Sequence, residues 1–364
     1  MRVSLRDASV ATKFSLILLP AIALLLGLLA FVQAWVSSSS MQSKALADLK
    51  QRNELLVGMI DAYNRSLKQA VGKLAAAFDS YHPGRFDVDE SAEPVPVLRI
   101  GGRPLNMDFA AVDRFTEATG AVATLFARKG DDFVRVTTSV KDEKGSRVVG
   151  TRLGLSHPGY AALIRGETFV GKARLFGRDY VTHYRPVKDA AGRVIAISFV
   201  GLDFTDGLQL YLDQLAAIKV GRSGFVFVVD ASSGPNRGKT ILHPAQPTGA
   251  PLVAKDAKGD DHIAQMLEAG SGSDRFDPSD ERRGVVIAHH TYADWNWMIA
   301  SQAFGDEIAE ESARARNLML AATLVIVIAA GVLIYAAVTR WVARPLRHAV
   351  QVTQRLPNGD LAVQ

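Results

Sequence analysis

Cysteine is absent from the 364 residues. That excludes a disulfide framework, thiolate zinc sites, iron–sulfur clusters and a cysteine nucleophile. It is compatible with an oxidising compartment without requiring one. Charge of one sign is also scarce, with 42 Lys and Arg against 37 Asp and Glu, a net of +5. The basic residues are scattered rather than striped, which argues against a nucleic-acid partner. Catalytic and cofactor signatures are missing as well. There is no G-x-S-x-G elbow and no H-E-x-x-H. His243, His262, His289 and His290 show no metal-ligand spacing, and neighbours such as His289 and His290 point to opposite faces of a strand. The run Ser233 to Thr240 resembles a phosphate loop but leaves three residues between Gly234 and Gly238, where the motif needs four. No catalytic residue, metal or cofactor is expected.

What the chain has is apolar residue, 48% of the total, and a mean hydropathy of +0.09. The excess is concentrated. Phe14–Val36 and Leu318–Val338 carry no charge, and about 20 apolar residues suffice for a helix to cross the hydrocarbon. The first run is longer than a signal-peptide core and ends near Trp35, so it reads as an uncleaved anchor. Arg2, Arg6 and Lys13 precede it, and Arg340, Arg344 and Arg347 follow the second run. Positive residues gather on the cytoplasmic side. Both termini are therefore expected on the cytoplasmic side of a membrane, with residues 37–317 outside.

Met41, Ala45, Leu49, Leu56, Ile60, Tyr63, Leu67, Val71, Leu74 and Phe78 recur at helical steps, which predicts a helix to Asp79, about 60 Å if counted from residue 40. Tyr81-His82-Pro83-Gly84 stops it. A Pro- and Gly-rich connection with one strand, Val95–Ile100, leads to a helix over Phe109–Thr119. From Ala121 the period becomes two. Strands are expected at Ala121–Arg128, Asp132–Ser139, Gly171–Leu175, Tyr180–Pro186 and Val194–Asp203, with a helix over His157–Ile164. A helix over Phe204–Val220 precedes a second set of strands: Phe225–Asp230, Thr240–His243, Gly272–Phe276, Gly284–Tyr292 and Trp297–Gln302. A helix, Asp260–Ala269, interrupts that set. Two sets in similar order predict a duplicated α+β unit. The expected division is a cytoplasmic tail over 1–13, a span over 14–36, a stalk helix over 37–81, a membrane-distal unit over 82–204 and a membrane-proximal unit over 205–303. A helix over 304–317 leads to the second span, 318–338, and a last segment covers 339–364.

Several stretches resemble a known family: GDDFVRVTTSV (Gly130–Val140), GTRLGLSHPGY to GLDF (Gly150–Phe204), KVGRSGFVFVVD (Lys219–Asp230), ILHP (Ile241–Pro244) and WNWMIAS (Trp295–Ser301). Together they are similar to the Cache type-3/type-2 fusion of bacterial chemoreceptors and sensor kinases. The ARPL and NGDL segments after Val338 resemble the first helix and connector of a HAMP domain. The resemblance implies a double PAS-like (Cache) α+β domain between two transmembrane helices, with a long N-terminal helix and a partial HAMP helix. It implies a methyl-accepting chemotaxis receptor that senses a small extracytoplasmic molecule. Arg344, Pro345, Leu346, Gly359, Asp360 and Leu361 would relay the change. A kinase or adaptor would receive it through an output module. The long helix, with its near-heptad stripe, would pair with its copy in a homodimer. A sensor histidine kinase or cyclase input region remains an open alternative. So does a membrane-anchored hydrolase or assembly protein.

The best pocket candidate lies in the distal unit. Tyr180, Thr182 and Tyr184 share one face of a strand by period two, as do Arg135 and Thr137 on another. Arg152, Tyr160 and Arg174 flank them, and Asp203 ends the last strand. Hydroxyls and arginines of this kind suit a small carboxylate, to which Arg offers a two-toothed fork.

Overall fold

The structure, a computed structural model, describes residues 10–279 and 283–344. Helix α1 (Val10–Asp79) takes in both the first apolar run and the amphipathic stretch. From Leu49 onward its buried face carries Leu56, Ile60, Val71, Ala75 and Phe78, spaced so as to fall on a single helical stripe. Two asparagines, Asn53 and Asn64, are buried in the same stripe.

Three short strands follow: β1 (Phe86–Asp89), β2 (Val97–Ile100) and β3 (Arg103–Pro104). They make a small sheet of order β1-β2-β3 where the sequence predicts one strand. Strands this short carry little alternation to read. Their pairing is fixed by the turn at Gly101-Gly102, both with positive φ, and by Asn106, which bonds Leu98 N and Pro96 O.

The first large module contains α2 (Ala110–Thr119), β4 (Val122–Lys129), β5 (Asp132–Thr138), α3 (Tyr160–Ile164), β6 (Phe169–Leu175), β7 (Arg178–Lys188) and β8 (Val194–Asp203). Its five strands run in the order β5-β4-β8-β7-β6, with every pair antiparallel. The second contains α4 (Thr205–Ala216), β9 (Lys219–Val220), β10 (Gly224–Asp230), β11 (Thr240–Leu242), α5 (His262–Ala269), β12 (Ser271–Phe276), β13 (Val285–Tyr292) and β14 (Trp297–Phe304). Its main path is β11-β10-β14-β13-β12, with β9 beside β10. Numbered within each module, and setting β9 aside, both sheets read 2-1-5-4-3. The helix expected to run to Val220 ends at Ala216, because Gly221 with φ 66 turns Lys219–Val220 back onto β10.

One face of the first sheet meets α1 and α2. Phe78 packs against Phe115 at 5.0 Å, and Asp79 reaches Arg185 at 2.5 Å and Ser198 at 3.3 Å. The other face is covered by α3 and the chain after β5, over a core that includes Phe126, Phe133, Leu163, Tyr184 and Phe199.

The chain divides into two compact units. One comprises Leu49–Arg282 and Val286–Gln302, and so nearly all of both sheets. The other takes in α1 up to Asp48, Arg283–Val285 and the described residues from Ala303 onward. There β14 ends at Phe304 and helix α6 (Gly305–Val338) begins without a loop. Arg283 binds Asp306 at 2.8 Å and Glu307 at 3.0 Å while lying 4.0 Å over the Phe304 ring. Among the described residues, one helix, Gly305–Trp341, is long and apolar enough to cross a membrane. A π-helical turn, Thr339–Ala343, leads to Arg344. Pro345, Leu346, Gly359, Asp360 and Leu361 lie outside the described residues.

Candidate functional site

The covered face of the first sheet has an unusual floor. Gly171 pairs with Thr182, Thr182 with Gly201 and Gly201 with Val122. Gly171, Thr182 and Gly201 therefore form a row of small residues across three strands, which ends at Val122 on the fourth. The neighbouring row is large: Phe169, Tyr184 and Phe199. A Cβ at Gly201 would meet Val122 at 3.0 Å, Phe199 at 3.1 Å and Tyr180 at 3.2 Å. One at Gly171 would meet the Phe169 ring at 2.9 Å. Aromatic rings thus lean over backbone that only glycine leaves open, the arrangement expected where another group approaches a strand closely.

Arg135 faces this core. Its side chain is buried, with 8% of the residue exposed. Its guanidinium lies 4.9 Å over the Phe126 ring, and Nη1 donates to Thr151 Oγ1 at 2.8 Å. Its Nε is buried without a partner. Burial pushes the Arg135 pKa down to about 10. Burial likewise pushes Tyr184 up to about 12, opposed by the nearby Arg135 charge and by a hydrogen bond with Thr182. Tyr184 is walled by Phe199 at 4.8 Å and His157 at 4.7 Å. An unpaired N–H on a buried cation, ringed by aromatic faces, is a strong donor looking for an acceptor.

Four of the nine candidate residues come together here: Arg135, Tyr180, Thr182 and Tyr184. Thr182 Oγ1 is already engaged, donating to the Gly171 carbonyl at 2.8 Å. Thr137 does not join them. Leu125 pairs with Thr137 but Phe126 pairs with Arg135, so Val136 is the extra residue of a bulge. A bulge breaks strict alternation. Thr137 is turned to the opposite face, where its hydroxyl donates to the Asp108 carbonyl at 2.8 Å. Thr138 takes its place beside Thr124, their hydroxyls 2.6 Å apart.

The remaining residues sit at the margins. Arg152 is largely exposed and 3.9 Å from Asp132. Tyr160 donates to the Asp131 carbonyl. Asp203 pairs with Arg178 and accepts from Thr205 N at 3.0 Å and Thr205 Oγ1 at 2.8 Å, which fixes the start of α4. Arg174 pairs with Asp179 across the ladder, whereas Gly171 and Ala173 pair with Thr182 and Tyr180. Arg174 is therefore on the other face and lines a separate cavity. The sequence reading missed Phe126, Thr138 and His157. A bulge leaves no signal in residue type, so Thr138 was not accessible that way. His157 was inside the expected helix.

The four histidines of the second module do not converge. His262 lies between Asp274 at 2.6 Å and Asp256 at 3.5 Å and stacks on Phe276 at 3.8 Å. Among the described residues no group of three His, Asp or Glu side chains is placed to hold a metal ion.

Residues 34–318 match the Cache 3/Cache 2 fusion domain, and the chain belongs to that family. It is 25% identical over 186 residues, 51% of its length, to the methyl-accepting chemotaxis protein McpB of Bacillus subtilis. It is 26% identical over 185 residues to TlpB of the same organism. The matched stretches are 25% of each relative, so the chain spans about a quarter of the curated relatives it matches. Among solved structures, the ligand-binding domain of the Campylobacter jejuni chemoreceptor Tlp3 in complex with L-valine aligns with 75% of this chain and 98% of its own, at 11% identity and a TM-score of 0.44. The ligand-binding domain of the Pseudomonas aeruginosa amino acid chemoreceptor PctC in complex with GABA aligns with 70% and 98%, at 14% identity and a TM-score of 0.41.

Proposed function

We propose that this member of the Cache 3/Cache 2 fusion family is the sensing region of a transmembrane chemotaxis receptor. A small carboxylate-bearing molecule binds the covered face of the first sheet. Arg135 carries this reading, because its buried Nε has no partner among the described residues. The Nε edge of a guanidinium offers two parallel N–H groups, which match the two oxygens of a carboxylate. Tyr184 stands beside it as a further polar group. Phe169 and His157, on the edge strand and before α3, are the rings that must move to admit it.

Binding shifts an equilibrium between two arrangements of the sheet and can do so only by the ligand's differential affinity for them. The change passes along the second sheet to β14 and α6, then through Arg344, Pro345, Leu346 and Gly359–Leu361 to a cytoplasmic output module. The arrangement requires two membrane spans, both termini in the cytoplasm and the sheet modules outside the inner membrane. Pairing of α1 with its copy in a homodimer supplies the frame against which α6 moves. Family membership, the apolar runs and the flanking charges support this topology.

The test is a thermal-shift screen of the full chain in detergent against organic acids, amino acids, amines and purines. A ligand at 100 times its Kd stabilises by about 2.7 kcal/mol. The expected hit is a carboxylate whose shift is lost in Arg135→Met and kept in Arg174→Met. A hit with the reverse pattern moves the site off this face. No hit among the carboxylates defeats direct sensing of this class.

A further inference from the structure

An open cavity of about 610 Å³ lies between the two sheet modules. One wall is β6 with the start of β7. The opposite wall is built from β10, β11 and the Trp295–Trp297 turn, and α4 closes one side. None of the residues around Arg135 takes part.

The charges on the two walls are not equally occupied. On the second module's wall, Asp230 Oδ1 accepts from the Ser232 backbone N–H at 2.8 Å and from its hydroxyl. Asp294 Oδ2 accepts from Lys68 at 2.6 Å and from Asn64 at 2.7 Å. The β6 wall holds Lys172 and Arg174, two residues apart on one face. The Lys172 ammonium has three N–H groups, with Asp179 at 3.3 Å and the charge of Asp230 also acting on it. It is held over the Trp297 ring at 4.7 Å and the Trp295 ring at 5.3 Å. Arg174 has five N–H groups and makes one long bond, to the Gly177 carbonyl at 3.4 Å. Asp230 and Asp294 thus each have one oxygen held by the chain's own donors and Asp179 faces Lys172, while Lys172 and Arg174 make few bonds along the β6 wall.

The rest of the lining is apolar on one side, with Leu208 and Leu212 from α4 and Leu242 from β11. The indoles are fixed from behind, since Trp295 Nε1 donates to Asn64 on α1 at 3.1 Å. The pocket is therefore a rigid aromatic wall, an aliphatic side and a doubly cationic strand.

We propose that this inter-module cavity is a second ligand site and that it takes a small monocarboxylate with a branched aliphatic body. The carboxylate bridges Lys172 and Arg174, and the aliphatic body packs on Leu208, Leu212 and the Trp297 indole. The site does not depend on Arg135, and its test separates the two. Four tryptophans occur in the sequence. Two of them, Trp35 and Trp341, are at the apolar runs. With both changed to Phe in the full chain, emission reports Trp295 and Trp297 alone.

The probe is 4-methylpentanoate, with the neutral 4-methylpentanamide as control. A saturable emission change is expected with the acid and not with the amide. Arg174→Met, at an exposed side chain, should raise the apparent Kd by about tenfold or more. Lys172→Met should do the same and Lys172→Arg should restore binding in part. Arg135→Met should leave the titration unchanged. The proposal is overturned if the acid gives no saturable change up to about 10 mM. It is equally overturned if acid and amide behave alike, or if Arg174→Met leaves the curve where it was. Loss of the response in Arg135→Met would assign the signal to the other site.

Discussion

Replacing Arg135 by Met asks whether this guanidinium serves the fold or a ligand. Burial lowers its pKa from an ordinary 12.5 to about 10. At roughly 1.4 kcal/mol for each tenfold change in proton affinity, holding the charge there costs the folded state about 3 kcal/mol. Two contacts offset that cost. The Phe126 face at 4.9 Å contributes about 0.5–2 kcal/mol. The Thr151 bond at 2.8 Å contributes about 1.5–3 kcal/mol for a charged donor. The opposing effects nearly cancel. Met retains most of the buried aliphatic stem. It orphans nothing, because the Thr151 hydroxyl still donates to the Val148 carbonyl. The variant should therefore unfold within about 1 kcal/mol of the parent, or be more stable, whereas most buried substitutions cost more. Urea unfolding of the detergent-solubilised chain, followed by circular dichroism, measures it. A loss above about 3 kcal/mol would refute the argument, because it would make Arg135 a structural cation whose removal breaks the core. Retained stability with a lost ligand response is the signature of a residue kept for binding.

Three further outcomes follow from the packing. Asn64→Leu should destabilise by about 2–4 kcal/mol in urea unfolding, because it strands the buried Trp295 N–H and removes a donor from Tyr292 and Asp294; a cost under about 1 kcal/mol would show that water replaces the amide. Gly201→Ala should cost about 1–3 kcal/mol by forcing its Cβ against Val122, Phe199 and Tyr180, whereas Gly171→Ala should cost less, since Phe169 on the edge strand can swing away; equal losses would count against a rigid floor. Burial acts to lower the His262 pKa, but Asp274 and then Asp256 outweigh it, so the folded value lies above the ordinary 6.5. The folded state therefore holds the extra proton more tightly. The stability gained over a His262→Gln variant should be full below about pH 6.5 and fade as pH rises through the folded value. Melting temperatures taken across that interval check it, and a gap that widens with pH would reverse the sign.

Much of this molecule was legible from periodicity. The helical stripe of α1 placed Leu49, Leu56, Ile60, Val71 and Phe78 on one buried face. Period two located the five strands of the first sheet to within two residues at most ends, and the run after Ala303 became α6. These features are local, because burial of one face imposes its own spacing on the residues that make it. Asn53 and Asn64 were not legible. A polar residue in an apolar stripe looks like a solvated position until its partner is known, and theirs lie more than two hundred residues away, at Ile299 and Trp295.

The sequence by itself determined the order of elements, the two apolar runs and the presence of arginines and tyrosines in the first module. Tertiary structure decided which of them meet. Counting by twos put Arg135 and Thr137 together, but one bulged residue, Val136, sends them to opposite faces. Arg174 looked like a partner of Tyr180, yet its register against Asp179 points it away from that face and into the cavity against the second module. Register is a property of paired strands and cavities are a property of packed modules. Neither is written in the spacing of any one segment, because both depend on which distant backbone supplies the hydrogen bonds.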